Sequence, residues 1–265
     1  MLRCFIDDTG NDPKVFAFNF AGWVANVEEW ERFSDAWRSE LNRKPSIKYF
    51  KHNEAKGQTG EFTGWQPADC DRKMLSLAQV IAKHEVYGVV TGIRHAVVAA
   101  LLKHSVASPK ELRSVLHFSR PYDWCFHSIT TMVLQYQVNL ATGEPVDFIF
   151  DEGDSAFEDC SRLYRQLKTI LPPAMKAIAG CVSEGNDKTL MPLQAADLLA
   201  GQSTVKLRGN QVMEEPHRLL ARTKKILFYP IRWNDPFLIG FVHTIQRLNI
   251  IWSSKILEKH KKKRE

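Results

Sequence analysis

Three acidic residues in this chain stand where carboxylate chemistry needs them. Asp7 closes the apolar run Leu2-Arg3-Cys4-Phe5-Ile6, Asp151 closes Val146-Asp147-Phe148-Ile149-Phe150, and Asp197 lies within Leu193-Gln194-Ala195-Ala196-Asp197-Leu198-Leu199-Ala200-Gly201. An ionised carboxylate in apolar company is costly unless it is paired. Three of them can offset one another through a shared cation. Oxygen donors suit a hard divalent ion, Mg²⁺ or Mn²⁺, which takes one or two protein carboxylates and keeps its other positions for water and phosphate oxygens. Two such ions about 4 Å apart activate a water and stabilise the leaving oxygen of a phosphodiester. The chemistry implied is metal-dependent phosphoryl transfer with no nucleophilic side chain.

The elements that must position these acids are legible from period and punctuation. Residues 2–7 read as a strand that ends in the turn formers Asp7-Asp8-Thr9-Gly10-Asn11-Asp12-Pro13. Residues 14–26, with Phe16, Phe18 and Phe20 spaced at two, predict a returning strand whose long apolar run suits a central place in a sheet. Trp30, Phe33, Trp37 and Leu41 then recur at helical spacing, a core stripe over 28–41. Residues 42–68 read as irregular, with a short strand over 48–54 and a loop over 57–67. A helix over 68–84 and a β-branched strand over 86–93 follow. Helical patterns over 97–104 and 122–138 make residues 95–140 read as a helical insertion. Strand 146–151, helix 160–171, strand 177–182 and helix 190–207 complete an alternation that predicts an α/β mixed sheet with flanking helices. The domain expectation is one unit over 1–253 with a basic tail over 254–265.

The runs Phe5-Ile6-Asp7-Asp8-Thr9-Gly10, Phe148-Ile149-Phe150-Asp151-Glu152 and Pro192-Leu193-Gln194-Ala195-Ala196-Asp197-Leu198-Leu199-Ala200-Gly201 resemble the signatures of domain of unknown function 3800. The likeness spans residues 7–201, and the last run, with Gln194 and Asp197, is its most specific part. It implies a ribonuclease H-like fold. The family commonly opens with Asp-Glu-Ser-Gly, whereas this chain has Asp7-Asp8-Thr9-Gly10, whose second acid is one methylene shorter. In such a sheet the first strand and the strand of the second acid lie side by side and parallel, so Asp7 and Asp151 would converge at the switch point where open α/β sheets bind ligands. Gln194 and Asp197, three apart, share a helix face, and Gly201 continues that face and leaves room. Asp7, Asp151 and Asp197 are the expected metal ligands, and Gln194 is expected to orient a ligand or water. For a fourth acid the candidates are Glu54, Asp8, Glu152 and Asp154. Glu54 is favoured because the neighbouring Lys51 and His52 would suit a substrate phosphate. Asp8 and Glu152 point to the opposite face unless the strand has already ended.

Composition bounds the alternatives. In 265 residues, 44% hydrophobic with seven Trp and fifteen Phe, the chain is that of a globular protein. It has no apolar run of spanning length and no secretory pattern, so the expectation is a cytoplasmic protein with no membrane partner. Five scattered cysteines without a Cys-x-x-Cys pair predict reduced thiols. The net charge of +6 and pI near 9.0 permit nucleic acid as a partner, RNA or DNA. Much of that excess lies in Lys255, Lys259, Lys261, Lys262, Lys263 and Arg264, the composition of a solvated tail. Arg162, Arg165 and Lys168 share a face of the expected helix 160–171. Serine-hydrolase, zinc-protease and dinucleotide motifs are missing. Two other readings stand beside the nuclease. An aspartate-nucleophile phosphatase also begins with a strand ending in Asp, but it commonly needs an acid two residues later, where this chain has Thr9. A catalytically inactive ribonuclease H-like module that binds nucleic acid or protein is the second.

Overall fold

The computed structural model describes residues 1–10, 12, 14–104, 120–152, 156–207 and 214–231. Strand β1 (Leu2–Thr9) alternates as its sequence demands, with Cys4 and Ile6 in one core and Phe5 in the other. Strand β2 (Ala17–Asn26) runs antiparallel beside it, from Leu2↔Asn26 to Thr9↔Asn19, and is buried at every position but the last. That burial on both faces explains its continuous apolar sequence. Gly22 is required where the two strands meet, because a Cβ there would lie 2.5 Å from the Phe5 carbonyl oxygen. Strand β3 (Tyr87–Arg94) is antiparallel to β2, β4 (Val146–Asp151) is parallel to β1, and β5 (Ala179–Gly185) is parallel to β4. Strand β6 (Ile226–Ile231) pairs in parallel with β3 and completes the order β5-β4-β1-β2-β3-β6. Pro230, which cannot donate to a ladder, is tolerated there because β6 is an edge among the described strands. With its first and fourth strands adjacent and parallel, this is a ribonuclease H-like α/β sheet.

Helices cover both faces. On one lie α1 (Val27–Asn42), α3 (Pro67–Lys83) and α8 (Met191–Leu207), packed over Phe5, Ala21, Trp23 and Val90. The Asn26 side chain caps α1 by accepting from the Glu29 amide at 2.8 Å, and the Trp30, Phe33, Trp37, Leu41 stripe is buried as expected. On the other face lie α5 (Pro121–Leu140), α6 (Ala156–Ile170) and the short α7 (Pro173–Ile178), packed over Ile6, Phe20, Phe148 and Phe150. Helices α2 (His52–Gly57), α4 (His95–His104) and α9 (Glu215–Thr223), with a 3₁₀ turn at Gly60–Phe62, make the connections.

Several expectations are revised. No strand forms over 48–54. Lys51 is extended, α2 begins at His52, and Gln58 closes it in the left-handed region at φ 52°. Of the described parts of the expected insertion, 95–104 and 120–140, helix α5 packs Trp124, Phe126, Ile129, Val133 and Leu134 on the sheet. Phe16 lies outside β2 and is 43% exposed, beneath the Arg94 guanidinium. Strand β5 ends at 185 and not 182, and α7, α9 and β6 had no counterpart in the sequence reading. The basic tail and Asp154 lie outside the described residues. All five cysteines are free thiols, four of them buried. Among the described residues no helix is long and apolar enough to cross a membrane.

Candidate acidic site

Parallel pairing of β1 with β4, ending at Ile6↔Phe150, brings Asp7 and Asp151 to neighbouring strand ends. Both follow residues of the α8-side core, Phe5 and Ile149, by two, so both belong to that face. Helix α8 lies close against β1 and β2, because Ala195, Ala196 and Ala200 present little bulk. Trp23 Nε1 donates to the Ala195 carbonyl at 3.0 Å, and Asn19 Nδ2 donates to that of Ala200 at 3.2 Å. This docking carries Asp197 to the two strand ends. Asp7 is 8% exposed and Asp197 9%, and Asp151 is half-buried.

Each carboxylate accepts from a backbone amide. Asp7 Oδ1 accepts from Asp8 N at 2.7 Å, Asp151 Oδ1 from Asp187 N at 3.2 Å, and Asp197 Oδ2 from His52 N at 2.6 Å. These bonds do not offset the crowding of like charge. Burial pushes the Asp7 carboxyl well above the usual carboxylate range, and the charges of Asp197, Asp151 and Asp8 push it further. Burial also raises Asp197, aided by Asp187 and Asp151 and opposed by the His52 amide and Lys51. Asp151 is pushed up to about 6 by burial and by Asp187, against Lys51 and the Asp187 amide.

Two further residues belong to the cluster. Asp187, 5% exposed in the turn between β5 and α8, forms an ion pair with Lys51, Nζ to Oδ2 2.7 Å. Burial works against the Lys51 charge, but Asp187, Asp151 and Asp197 outweigh it and hold the ammonium protonated. The acids therefore do not depend on an external ion alone for compensation. Asp187 escaped the sequence reading because Asn186-Asp187-Lys188-Thr189 has the composition of a solvated turn. The one local signal was an acid four residues ahead of a helix. Among the described residues, no group of three His, Cys, Asp or Glu side chains is arranged to hold a metal ion. The donor chemistry fits a hard cation all the same. The donors are carboxylate oxygens whose charged forms are disfavoured by burial and by one another, and two of them suffice for an ion that keeps its waters.

The structure separates the other expected residues from this cluster. Gln194 is fully buried. Its Oε1 accepts from Trp37 Nε1 at 2.9 Å and from Phe50 N at 3.1 Å, and its Nε2 donates to the Asp187 carbonyl at 2.7 Å. It is a clamp between two loops, its amide engaged by protein groups on both ends. Glu54, favoured as the fourth acid, points elsewhere. Because α2 begins at His52, the Glu54 carboxylate turns toward the 3₁₀ turn, accepting from Tyr49 Oη at 3.2 Å and from Glu61 N at 3.1 Å. Asp8 follows strand alternation to the α5 face. Burial raises it to about 6 against the pull of Lys51, and its charge is felt at Asp7 and Asp151 without its joining them. Glu152 is exposed and accepts from the Asn186 side chain. Lys51 faces the acids, but His52 is packed under α8. A Cβ on Gly201 would lie 2.2 Å from His52 Nδ1, so the room expected at Gly201 is taken by this ring. Burial and Lys56 lower His52 to about 4, which leaves it neutral at pH 7.

No protein-family model matches the chain, and no curated protein matches it. Among solved structures it is similar to the complex of PCNA with ribonuclease HII from Archaeoglobus fulgidus, at 15% identity and TM-score 0.38, covering 83% of this chain and 76% of that one. It is also similar to ribonuclease H2 from Pyrococcus horikoshii OT3, at 14% identity and TM-score 0.33, covering 84% and 77%. Likeness at that level carries no argument about activity, and the reading of the site rests on its own geometry.

Proposed function

We propose that this chain is a metal-dependent nuclease of the domain of unknown function 3800 family, with Asp7, Asp151 and Asp197 holding Mg²⁺ or Mn²⁺. The observation that carries the proposal is the convergence of these acids from two neighbouring strands and a helix, where the charge of Asp151 disfavours ionisation of both Asp7 and Asp197, and that of Asp197 disfavours ionisation of Asp7. A fold that only needed the residues filled would gain by replacing such mutually repelling groups with apolar ones. When bound, the metal would supply Lewis acidity to a phosphate oxygen and lower the pKa of a water. The protein's own part is positional. Backbone amides of Asp8, Asp187 and His52 fix one oxygen of each acid. Asp187 holds the Lys51 ammonium beside them, and Gln194 ties the loops that carry both. An aspartyl-phosphate route through Asp7 has no support, since Thr9 offers no acid at the position two residues on.

The inactive binding module remains the second reading, and one observation favours it. Lys51 already neutralises part of the cluster, as an internal ammonium does in a purely structural acid network. The discriminating experiment is cleavage of single-stranded and duplex RNA and DNA with Mg²⁺ or Mn²⁺ by the wild type and Asp7→Asn. The nuclease reading expects cleavage that needs the metal and disappears in the variant. Equal cleavage by the two proteins would overturn it, and no cleavage of any of the four substrates would favour the module.

A further inference from the structure

Two loops meet at the rim of the acid cluster, and their outward side chains form a strip of a different chemistry. In the segment leading into α2, where Lys51 is extended, the contacts of alternate residues lie on opposite sides. Phe50 and His52 face inward, their amides bonded to Gln194 and Asp197 on α8. Tyr49 and Lys51 face the turn between β5 and α8. There Lys51 meets Asp187, and the exposed Lys188 lies over the Tyr49 ring, Nζ to centroid 5.2 Å. Gln194 sets this register, since one carboxamide accepts from Phe50 N and donates to the Asp187 carbonyl.

We infer that Tyr49, Lys51 and Lys188 form the seat of a single-stranded nucleic acid, with a backbone phosphate at Lys51 and the adjoining nucleotide at Tyr49 and Lys188. The inference rests on the nuclease reading for its choice of ligand, and it adds the residues that hold the strand and the form of strand they take. Four observations carry it. The Lys51 side chain is 36% exposed while its ammonium is held by Asp187, so it is reachable from solvent. It adjoins the acids, where a phosphate has to lie for any chemistry there. Tyr49, two residues before Lys51, and Lys188, next to Asp187, offer a ring and a cation, and an aromatic face beside a positive charge suits an unstacked base and its phosphate. A clamp buried as completely as Gln194 holds the two loops in one arrangement, so the strip exists before anything binds. A duplex keeps its base faces stacked and offers nothing to the Tyr49 ring.

The test is fluorescence anisotropy of a labelled single-stranded oligonucleotide with the full-length protein in excess chelator, so that no cleavage occurs. Tyr49→Ala is expected to weaken binding about tenfold, and Tyr49→Phe to retain it. Lys188→Ala is expected to weaken binding severalfold and lower the salt slope by about one. Lys83→Ala, which removes an exposed lysine from the end of α3, is expected to leave binding unchanged. Thermal unfolding of each variant separates a lost contact from a lost fold. Wild-type affinity in folded Tyr49→Ala and Lys188→Ala would overturn the proposal, as would competition by unlabelled duplex as strong as that by single strand. Because the readout needs no metal, its failure is distinct from that of the nuclease reading. Normal binding by the strip variants together with loss of cleavage in Asp7→Asn would sink the strip and leave the nuclease. Weakened binding by them with cleavage intact in Asp7→Asn would do the reverse.

Discussion

Glu29 and Asp7 are both buried acids on the α8 side of the sheet, and they are treated in opposite ways. Glu29, 5% exposed near the start of α1, has the Arg32 guanidinium at one oxygen. At the other it has His84 Nδ1 at 2.7 Å and the Glu85 amide at 3.0 Å. Burial opposes its charge, but Arg32, the Glu85 amide and His84 outweigh burial and hold it below the usual glutamate range. Asp7 accepts from one amide and faces other carboxylates, and its pKa moves up. A structural acid brings its counter-charge with it. An acid surrounded by acids marks a place where the fold tolerates a cost, and such places cluster at functional sites.

The largest effect that would sharpen this contrast is catalytic. Asp7→Asn is expected to lower metal-dependent cleavage at least a thousandfold, whereas Glu29→Gln leaves it near wild type, both read from initial rates. Next comes stability. Gly201→Ala forces a methyl into the His52 ring and is expected to cost about 2–3 kcal/mol in denaturant unfolding. Glu29→Ala should cost about 1–2 kcal/mol by stripping the Glu85 amide of its acceptor, whereas Asp7→Asn should raise the stability of the metal-free protein. Equal losses in Glu29→Ala and Asp7→Asn would erase the distinction between the two acids.

The smallest effect is the pH dependence, and its sign is opposite at the two places. Glu29 is lowered in the folded state, so its contribution is present above its ordinary pKa of 4.5 and is lost as acid protonates it below that value. Asp151 moves from an ordinary 3.8 to about 6, so the folded chain binds the extra proton in that window, and metal-free stability falls as pH rises through it. Difference profiles of Glu29→Gln and Asp151→Asn against wild type, in chelator from pH 3.5 to 8, would show the two slopes. Parallel profiles would contradict the assignment.

How much of this was legible in the sequence follows from how local each cause is. Asp7, Asp151 and Asp197 were readable because strand ends and a mid-helix acid leave marks within a few residues, and the pairing of β1 with β4 then places two of them together. Gly201 was readable as a gap, though not as a seat for His52. Asp187 and Lys51 were not readable as a pair, since residues 136 apart in sequence meet only because Gln194 binds both loops. The place of Glu54 was hidden for the reverse reason. It stands beside Lys51 and His52 in sequence, but the start of α2 rotates it toward Glu61. Helix 121–140 read as an insertion because an apolar helix between polar segments looks the same whether it covers a sheet or stands apart from one.

Thermal unfolding of the protein at pH 7.5 decides whether the acid cluster is a cation site. Wild type and Asp7→Asn would be titrated with Mn²⁺ against a chelator baseline, because an ion bound by the folded state alone raises its stability. A cation site predicts a wild-type Tm that climbs with Mn²⁺ and an Asp7→Asn Tm that starts higher and stays level. A wild-type Tm indifferent to saturating Mn²⁺, or an equal climb in both proteins, would contradict it.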